Sequence, residues 1–391
     1  MKKLSSLIVS VICATLMVHA APMERNKAGT VIVPITANPN YHRNIHTALD
    51  RIRKKRSKWI SSNHLVKKDG IVPMINYENL EFIGSVYIGT PPVKYDLDFD
   101  TGSSDLWIPS TTCTTCVNKT TYNPNQSSSY VKEGKPFQLS YLDKSNSSGI
   151  TGLETITIGG LTIKNQRFGM VTEESAAFSK SPDDGLLGLA FNSLSVLNDT
   201  KTPLDNMISQ GLISKPVFGV YLGSLRKEGG GEYVFGGYNQ SKISGPLINV
   251  NVDVKSGGYG VKLKNLNIGN TTIPGSSAEY LVDTGSTLLI LDKSTAAIVA
   301  KAYGTVLNND GQTYNISCDP ASVPSLSLTI DGFTAMIPSE DVIYANDHGR
   351  CVAGFTLGSS SNYGILGDLF LRNVYTVFDQ GTPALQFGHL A

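Results

Sequence analysis

After residue 18 this chain has no apolar run long enough to cross a bilayer, and its last residues, ALQFGHLA, lack the apolar tail of a lipid-anchor signal. No membrane anchor is therefore expected. Cysteine is scarce as well: five in all, of which Cys13 sits in the N-terminal apolar run. The other four, Cys113, Cys116, Cys318 and Cys351, fall into two local pairs, as disulfides in an oxidising compartment do. Cys113-x-x-Cys116 has no second close pair to complete a zinc site, since Cys318 and Cys351 lie 33 residues apart (351 − 318). Long helices are disfavoured by 38 Gly and 18 Pro. A length of 391 residues with 40% hydrophobic content leaves room for two domains with cores of their own.

What is present begins with Lys2 and Lys3, then an apolar run from Leu4 to Val18, and Val18-His19-Ala20 with small residues at the −3 and −1 places. Residues 1–20 read as a secretory signal peptide. Charge is divided unevenly. Residues 1–68 carry 13 Lys/Arg against Glu24 and Asp50, a balance of +11, while residues 69–391 carry 20 against 30, a balance of −10. A run such as RIRKKRSKW (51–59) often marks a nucleic-acid or membrane surface. Here an acidic partner lies in the same chain, so residues 21–68 read as a basic propeptide lying on an acidic body, with Lys67-Lys68 as a dibasic boundary. No nucleic acid is expected. Seven Asn-x-Ser/Thr sequons, at Asn118, Asn125, Asn146, Asn198, Asn239, Asn270 and Asn315, are glycosylation candidates on a secretory route.

The body is patterned as β-structure. SVYIG, LETITIGGLTI, VFGVYLG and EYVFGGY are short runs rich in Val, Ile, Thr and Tyr, punctuated by Gly. Short helices are predicted around Thr202–Gln210 and Lys293–Tyr303, each behind a Ser or Thr cap.

In KYDLDFDTGSSDLW (94–107), aspartates stand at 96, 98 and 100. A calcium loop would need Gly after the third acidic place and Glu at the twelfth, where Thr101 and Trp107 stand. Asp98-Phe99-Asp100-Thr101 also matches the Asp-x-Asp-x-Thr of metal-dependent phosphatases. An internal repeat decides. FDTGSSDLWIP (99–109) returns as VDTGSTLLILD (282–292), and each copy is followed by GLLG (185–188) or GILG (364–367), at 85 and 81 residues from Asp to first Gly. In the second copy Glu279 or Tyr280 and Leu281 take the places of Asp96 and Asp98, which removes both metal readings. Asp96 and Asp98 are expected on the outward face of a strand. The shared element is one Asp per half, Asp100 and Asp283, at a turn whose Gly lets the backbone reverse and whose Ser103 or Ser286 can hold the carboxylate. Two like charges brought close cannot both ionise, so a water between them gains a base and an acid. Neither metal nor cofactor is needed.

These stretches, with YIGTPPVKYDLDFDTGSSDLWIPS, DDGLLGLAF, TPLDNMISQGLI, GGGEYVFGGY and GILGDLFLRNVYTVFDQ, resemble the pepsin family of aspartic endopeptidases, in particular the secreted fungal enzymes of the rhizopuspepsin kind, over residues 70–391. The resemblance implies an all-β, bilobal fold of two related barrel-like lobes, at 69–245 (with a hairpin flap) and 246–391, around a cleft. It implies a monomeric secreted, or alternatively vacuolar, zymogen that acts on proteins and peptides. Asp100 and Asp283 match the catalytic pair. Thr101, Gly102, Ser103, Thr284, Gly285 and Ser286 match the supporting loop residues, Tyr141 the flap tyrosine, and Trp107 the indole that its phenol reaches. Asp143 matches a flap acid that admits Lys before the cut among otherwise large apolar residues. Ser57-Lys58-Trp59 resembles the zymogen segment whose lysine sits between the carboxylates. Two departures stand out. The flap reads Tyr141-Leu142-Asp143-Lys144-Ser145, with Leu142 and Lys144 where the family has glycines, a change that also admits a peptide-binding protein with reduced proteolysis. Tyr280 stands where a small residue is usual, and the sequence assigns it no consequence.

Overall fold

The computed structural model describes residues 24–25, 31–32, 70–77, 81–141, 145–197, 201–224, 229–347, 349–358 and 362–391. The signal segment, Lys58, the flap-tip residues Leu142, Asp143 and Lys144, and Asn198 lie outside the described residues. Of the expected propeptide, Glu24–Arg25 and Val31–Ile32 form a short antiparallel pair.

Strand formation follows the alternation of apolar and polar side chains. In Val93–Asp100, Tyr95, Leu97 and Phe99 are buried while Asp96 and Asp98 point to the other face. This strand belongs to a thirteen-stranded sheet. Within it, Glu81–Ile88, Val93–Asp100, Gly185–Gly188, Leu106–Pro109, Leu161–Glu174 and Asn146–Ile158 are paired in sequence. A further pairing of Val86 with Ile158 and Ile88 with Ile156 closes these six strands into a barrel. Closure gives each of these six strands a neighbour on both sides, and Val131–Ser140 extends from Asn146–Ile158 as an edge strand.

The same sheet continues out of the barrel through Gly70–Tyr77, Gly231–Phe235, Val217–Leu222, Tyr375–Asp379 and Ala384–Leu390 to Ile243–Asn251. Strands from both ends of the chain therefore share one platform, and the expected division at 245/246 falls inside Ile243–Asn251. Phe218 and Phe378 stack across it, with ring centroids 4.7 Å apart, and Tyr259 packs edge-on to Phe378 at 4.8 Å.

The second half repeats the core of the first in a five-stranded sheet ordered Gly260–Lys262, Glu279–Val282, Tyr363–Leu366, Leu289–Leu291, Phe355–Leu357. Four- and three-stranded sheets complete it. The fold is mostly β and bilobal, with short helices. Pro203–Ser209 is capped by Thr202 in a capping box with Asp205, as its sequence predicts. Lys293–Ala302 also forms, but its cap is Asp292 and not a Ser or Thr. A carboxylate there accepts two N–H bonds and meets the positive end of the helix, which a hydroxyl cannot match. Among the described residues no helix is long and apolar enough to cross a membrane. Both cysteine pairs are bonded, Cys113 to Cys116 and Cys318 to Cys351.

Candidate active site

Each Asp-Thr-Gly turn arises from the same local arrangement. Gly185–Gly188 runs parallel to Val93–Asp100 and antiparallel to Leu106–Pro109, so it separates the two limbs of the loop that begins at Asp100. Tyr363–Leu366 does the same between Glu279–Val282 and Leu289–Leu291. The inserted strand takes up the backbone bonding of both limbs, and the loop tip must fold back over its end: Leu189 N–H donates to Asp100 O at 2.8 Å, and Asp283 N–H donates to Leu366 O at 3.1 Å.

Both carboxylates are buried, Asp100 at 0% and Asp283 at 1% exposure. Each receives the same two donors. Gly102 N–H reaches Asp100 Oδ1 at 2.7 Å and Ser103 Oγ–H bonds Oδ2. Gly285 N–H reaches Asp283 Oδ1 at 3.1 Å and Ser286 Oγ–H bonds Oδ2 at 2.6 Å. The two side chains converge at Gly102. A Cβ on that residue would stand 2.5 Å from Asp283 Oδ1 and 2.8 Å from Oδ2, inside van der Waals contact, so only glycine lets the second carboxyl sit against the first loop.

The threonines tie the loops together reciprocally. Thr101 N–H donates to Thr284 Oγ1 at 3.0 Å, and Thr284 N–H donates to Thr101 Oγ1 at 3.0 Å. Each hydroxyl then donates across the dyad, Thr101 to Val282 O at 2.9 Å and Thr284 to Phe99 O at 2.7 Å. With both hydroxyl protons committed, the 3.4 Å approach of the two oxygens is a packing contact. Four buried bonds thus set the spacing of the loops.

The hairpin of Val131–Ser140 and Asn146–Ile158 closes through Tyr141 N–H to Ser145 O at 2.9 Å. Tyr141 is buried, and its hydroxyl oxygen accepts the Trp107 indole N–H at 2.8 Å. Burial pushes the Tyr141 phenol well above its ordinary value, and the negative charges of Asp100, Asp105 and Asp98 push the same way. The phenol stays protonated and keeps its own proton to donate.

Two neighbours escaped the sequence reading. Phe178 packs edge-on against both Trp107 (4.9 Å) and Tyr141 (5.3 Å), and nothing local in AAFS marks it. Asp105, at 3% exposure, accepts from Ser195 Oγ at 2.5 Å and Val196 N–H at 2.9 Å. Burial pushes its carboxyl up to about 6, against the lowering effect of those bonds. Its signal was available: the second copy of the motif has Leu288 in its place.

Asp96 and Asp98 lie on the expected second face of their strand, partly and not fully solvated. Asp96 bonds Ser85 Oγ at 2.7 Å and Lys94 Nζ at 2.8 Å, and Asp98 is half-buried. Among the described residues no group of three or more His, Cys, Asp or Glu is placed to hold a metal. Of the sequon residues, Asn118, Asn125, Asn146, Asn270 and Asn315 are exposed. Asn239 is half-buried and its side chain accepts from Ser241 N–H at 3.1 Å.

Two buried carboxylates thus stand in matched loops across a pseudo-dyad. The family model for eukaryotic aspartyl protease matches residues 81–390, and the chain belongs to that family. It is 43% identical over 394 residues to rhizopuspepsin-3 of Rhizopus niveus, covering 99% of each chain. It is 44% identical over 395 residues to syncephapepsin of Syncephalastrum racemosum, covering 99% of this chain and 98% of the relative. Cathepsin E of Aquarana catesbeiana is 36% identical over 326 residues, 81% of each. The protein is a pepsin-like aspartic endopeptidase close to the fungal rhizopuspepsins.

Proposed function

We propose that this enzyme hydrolyses internal peptide bonds of proteins at acid pH through a water activated jointly by Asp100 and Asp283. The observation that carries the reading is the convergence of both carboxylates on Gly102, each under one N–H and one Ser hydroxyl. In acid one carboxyl is charged and the other protonated, because two like charges in one buried site resist joint ionisation. The charged group takes a proton from water as its oxygen attacks the substrate carbonyl, and the protonated group gives its proton to the carbonyl oxygen. The tetrahedral diol then collapses as a proton passes to the leaving amine. Tyr141, hydrogen-bonded to Trp107, closes the site from above.

The same reading extends to the rest of the chain. Residues 1–20 direct export and are removed. Residues 21–68 act as an intramolecular inhibitor, with Lys58 between the carboxylates at neutral pH, and acid weakens the attraction of this +11 segment for the −10 body. Residues 69–245 and 246–391 form the two catalytic lobes, and the enzyme acts outside the cell as a monomer. Large apolar residues flank the cut, and Asp143 tolerates Lys before it.

The test is a peptide digest at acid pH with and without a pepstatin-type inhibitor, on wild type, Asp100→Asn and Asp283→Asn. Inhibitor-sensitive cleavage that falls by at least about a thousandfold in either variant is expected. Cleavage that survives both substitutions would overturn the assignment.

A further inference from the structure

Tyr280 precedes Asp283 by three residues on the limb that enters the second catalytic loop, and Asp292 directly follows Leu289–Leu291, the limb that leaves it. These limbs are not neighbours in the sheet, because Tyr363–Leu366 lies between them. The Tyr280 ring spans that gap. It lies over Gly364, its register partner, where any side chain would collide with the ring, and its hydroxyl donates to Asp292 Oδ2 at 2.6 Å. Both residues are fully buried.

Asp292 is itself held firmly. Its Oδ2 also accepts from Ser276 Oγ at 2.8 Å, and its Oδ1 accepts Ser294 Oγ at 2.5 Å, Ser294 N–H at 3.2 Å and Thr295 N–H at 3.3 Å at the start of Lys293–Ala302. The phenol is thus anchored, through one carboxylate, to a ten-residue helix. The first half has no counterpart, since the equivalent places in the repeat are Leu97 and Pro109.

We infer that Tyr280 and Asp292 form a clasp that holds the two limbs of the second catalytic loop together, and so act as positioning residues for Asp283. The inference rests on the reading of Asp100 and Asp283 as the hydrolytic pair. The clasp suits acid conditions. Burial raises the Asp292 carboxyl, but hydrogen bonds from Ser294, Thr295, Tyr280 and Ser276 outweigh it and hold the group well below its ordinary value. Burial and the Asp292 carboxylate raise the Tyr280 phenol. The donor stays protonated and the acceptor ionised across the working range, so the bond does not titrate away where the chemistry runs.

Tyr280→Phe removes the hydroxyl and keeps the ring. A loop freed at its base lets Asp283 wander, and misplacement of a reacting group falls on kcat more than on KM. The expected change is a drop in kcat of about three- to tenfold with KM within about twofold of wild type. A second readout separates positioning from mere support. Coupling between two carboxyls is what drives their apparent pKa values apart, so a looser pair titrates closer together. The bell-shaped kcat profile should narrow from both sides in Tyr280→Phe, which a general loss of stability would not produce.

Asp292→Asn keeps one oxygen for the helix cap and removes the charge that faces the phenol. It should narrow the profile likewise, and the double variant should fall no further than the worse single one. Amide hydrogen exchange at 283–288 gives a readout independent of turnover, and faster exchange is expected in both variants. Wild-type kcat, profile width and loop exchange in Tyr280→Phe would overturn the clasp and leave the Asp pair standing. A wild-type protein that cleaves nothing would remove the hydrolytic reading, and exchange at 283–288 would still decide whether the clasp holds its loop.

Discussion

At the scale of single residues, the site contrasts groups that keep one protonation state with one that changes. Asp105 has its carboxyl raised from 3.8 to about 6 by burial. The native state therefore holds its proton more tightly than the unfolded chain does. Stability from this group is complete below about pH 4 and is lost as pH rises through 6, an effect of roughly 3 kcal/mol. Asp105→Asn removes the titration, so the difference in urea midpoint between pH 4 and pH 7 should shrink in the variant. An equal difference in both proteins would show that Asp105 does not contribute. The threonine lattice makes a second prediction. Thr101→Val takes the partner of Thr284 N–H and the side-chain donor of Val282 O, at a cost of about 2–4 kcal/mol, whereas Thr284→Val strands Thr101 N–H but leaves Phe99 O the Tyr233 hydroxyl at 3.3 Å. Thr101→Val should therefore lower the thermal midpoint more than Thr284→Val; the opposite order would show that the Tyr233 hydroxyl does not support Phe99 O.

At the scale of elements, the flap and the loop limbs differ in how much of them could be read in advance. The alternation in Val93–Asp100 and the repeated Asp-Thr-Gly are local patterns, and they mark the strand and both candidate loops. Phe178 and the Ser195–Leu197 anchor of Asp105 depend on contacts 71 (178 − 107) and 90 (195 − 105) residues away, and no local pattern carries such distances. Tyr280 was visible as a departure, yet its partner Asp292 read only as the end of a repeat, because the bond crosses an inserted strand. For the hairpin, glycine in place of Leu142 and Lys144 should raise turnover on a generic peptide by relieving the bulk at its tip. Unchanged turnover in the double glycine variant would separate tip composition from rate.

At the scale of the whole molecule, the two disulfides are unequal. Cys318–Cys351 closes a span of 33 residues and Cys113–Cys116 a span of 3. Loop-closure entropy gives about 4 kcal/mol for the longer and about 2 kcal/mol for the shorter. Replacing Cys318 and Cys351 by Ser should therefore lower the urea midpoint more than replacing Cys113 and Cys116; the opposite order would mean that strain or local packing governs.

The shared platform bears on how the protein is made. Val220 pairs with Thr376, a residue that leaves the ribosome 156 positions later (376 − 220). Until then the strand Val217–Leu222 has a bare edge, open to any passing extended peptide. Pairing of that edge is thus postponed until the second half has been made, which leaves the earlier strands open to association through the interval.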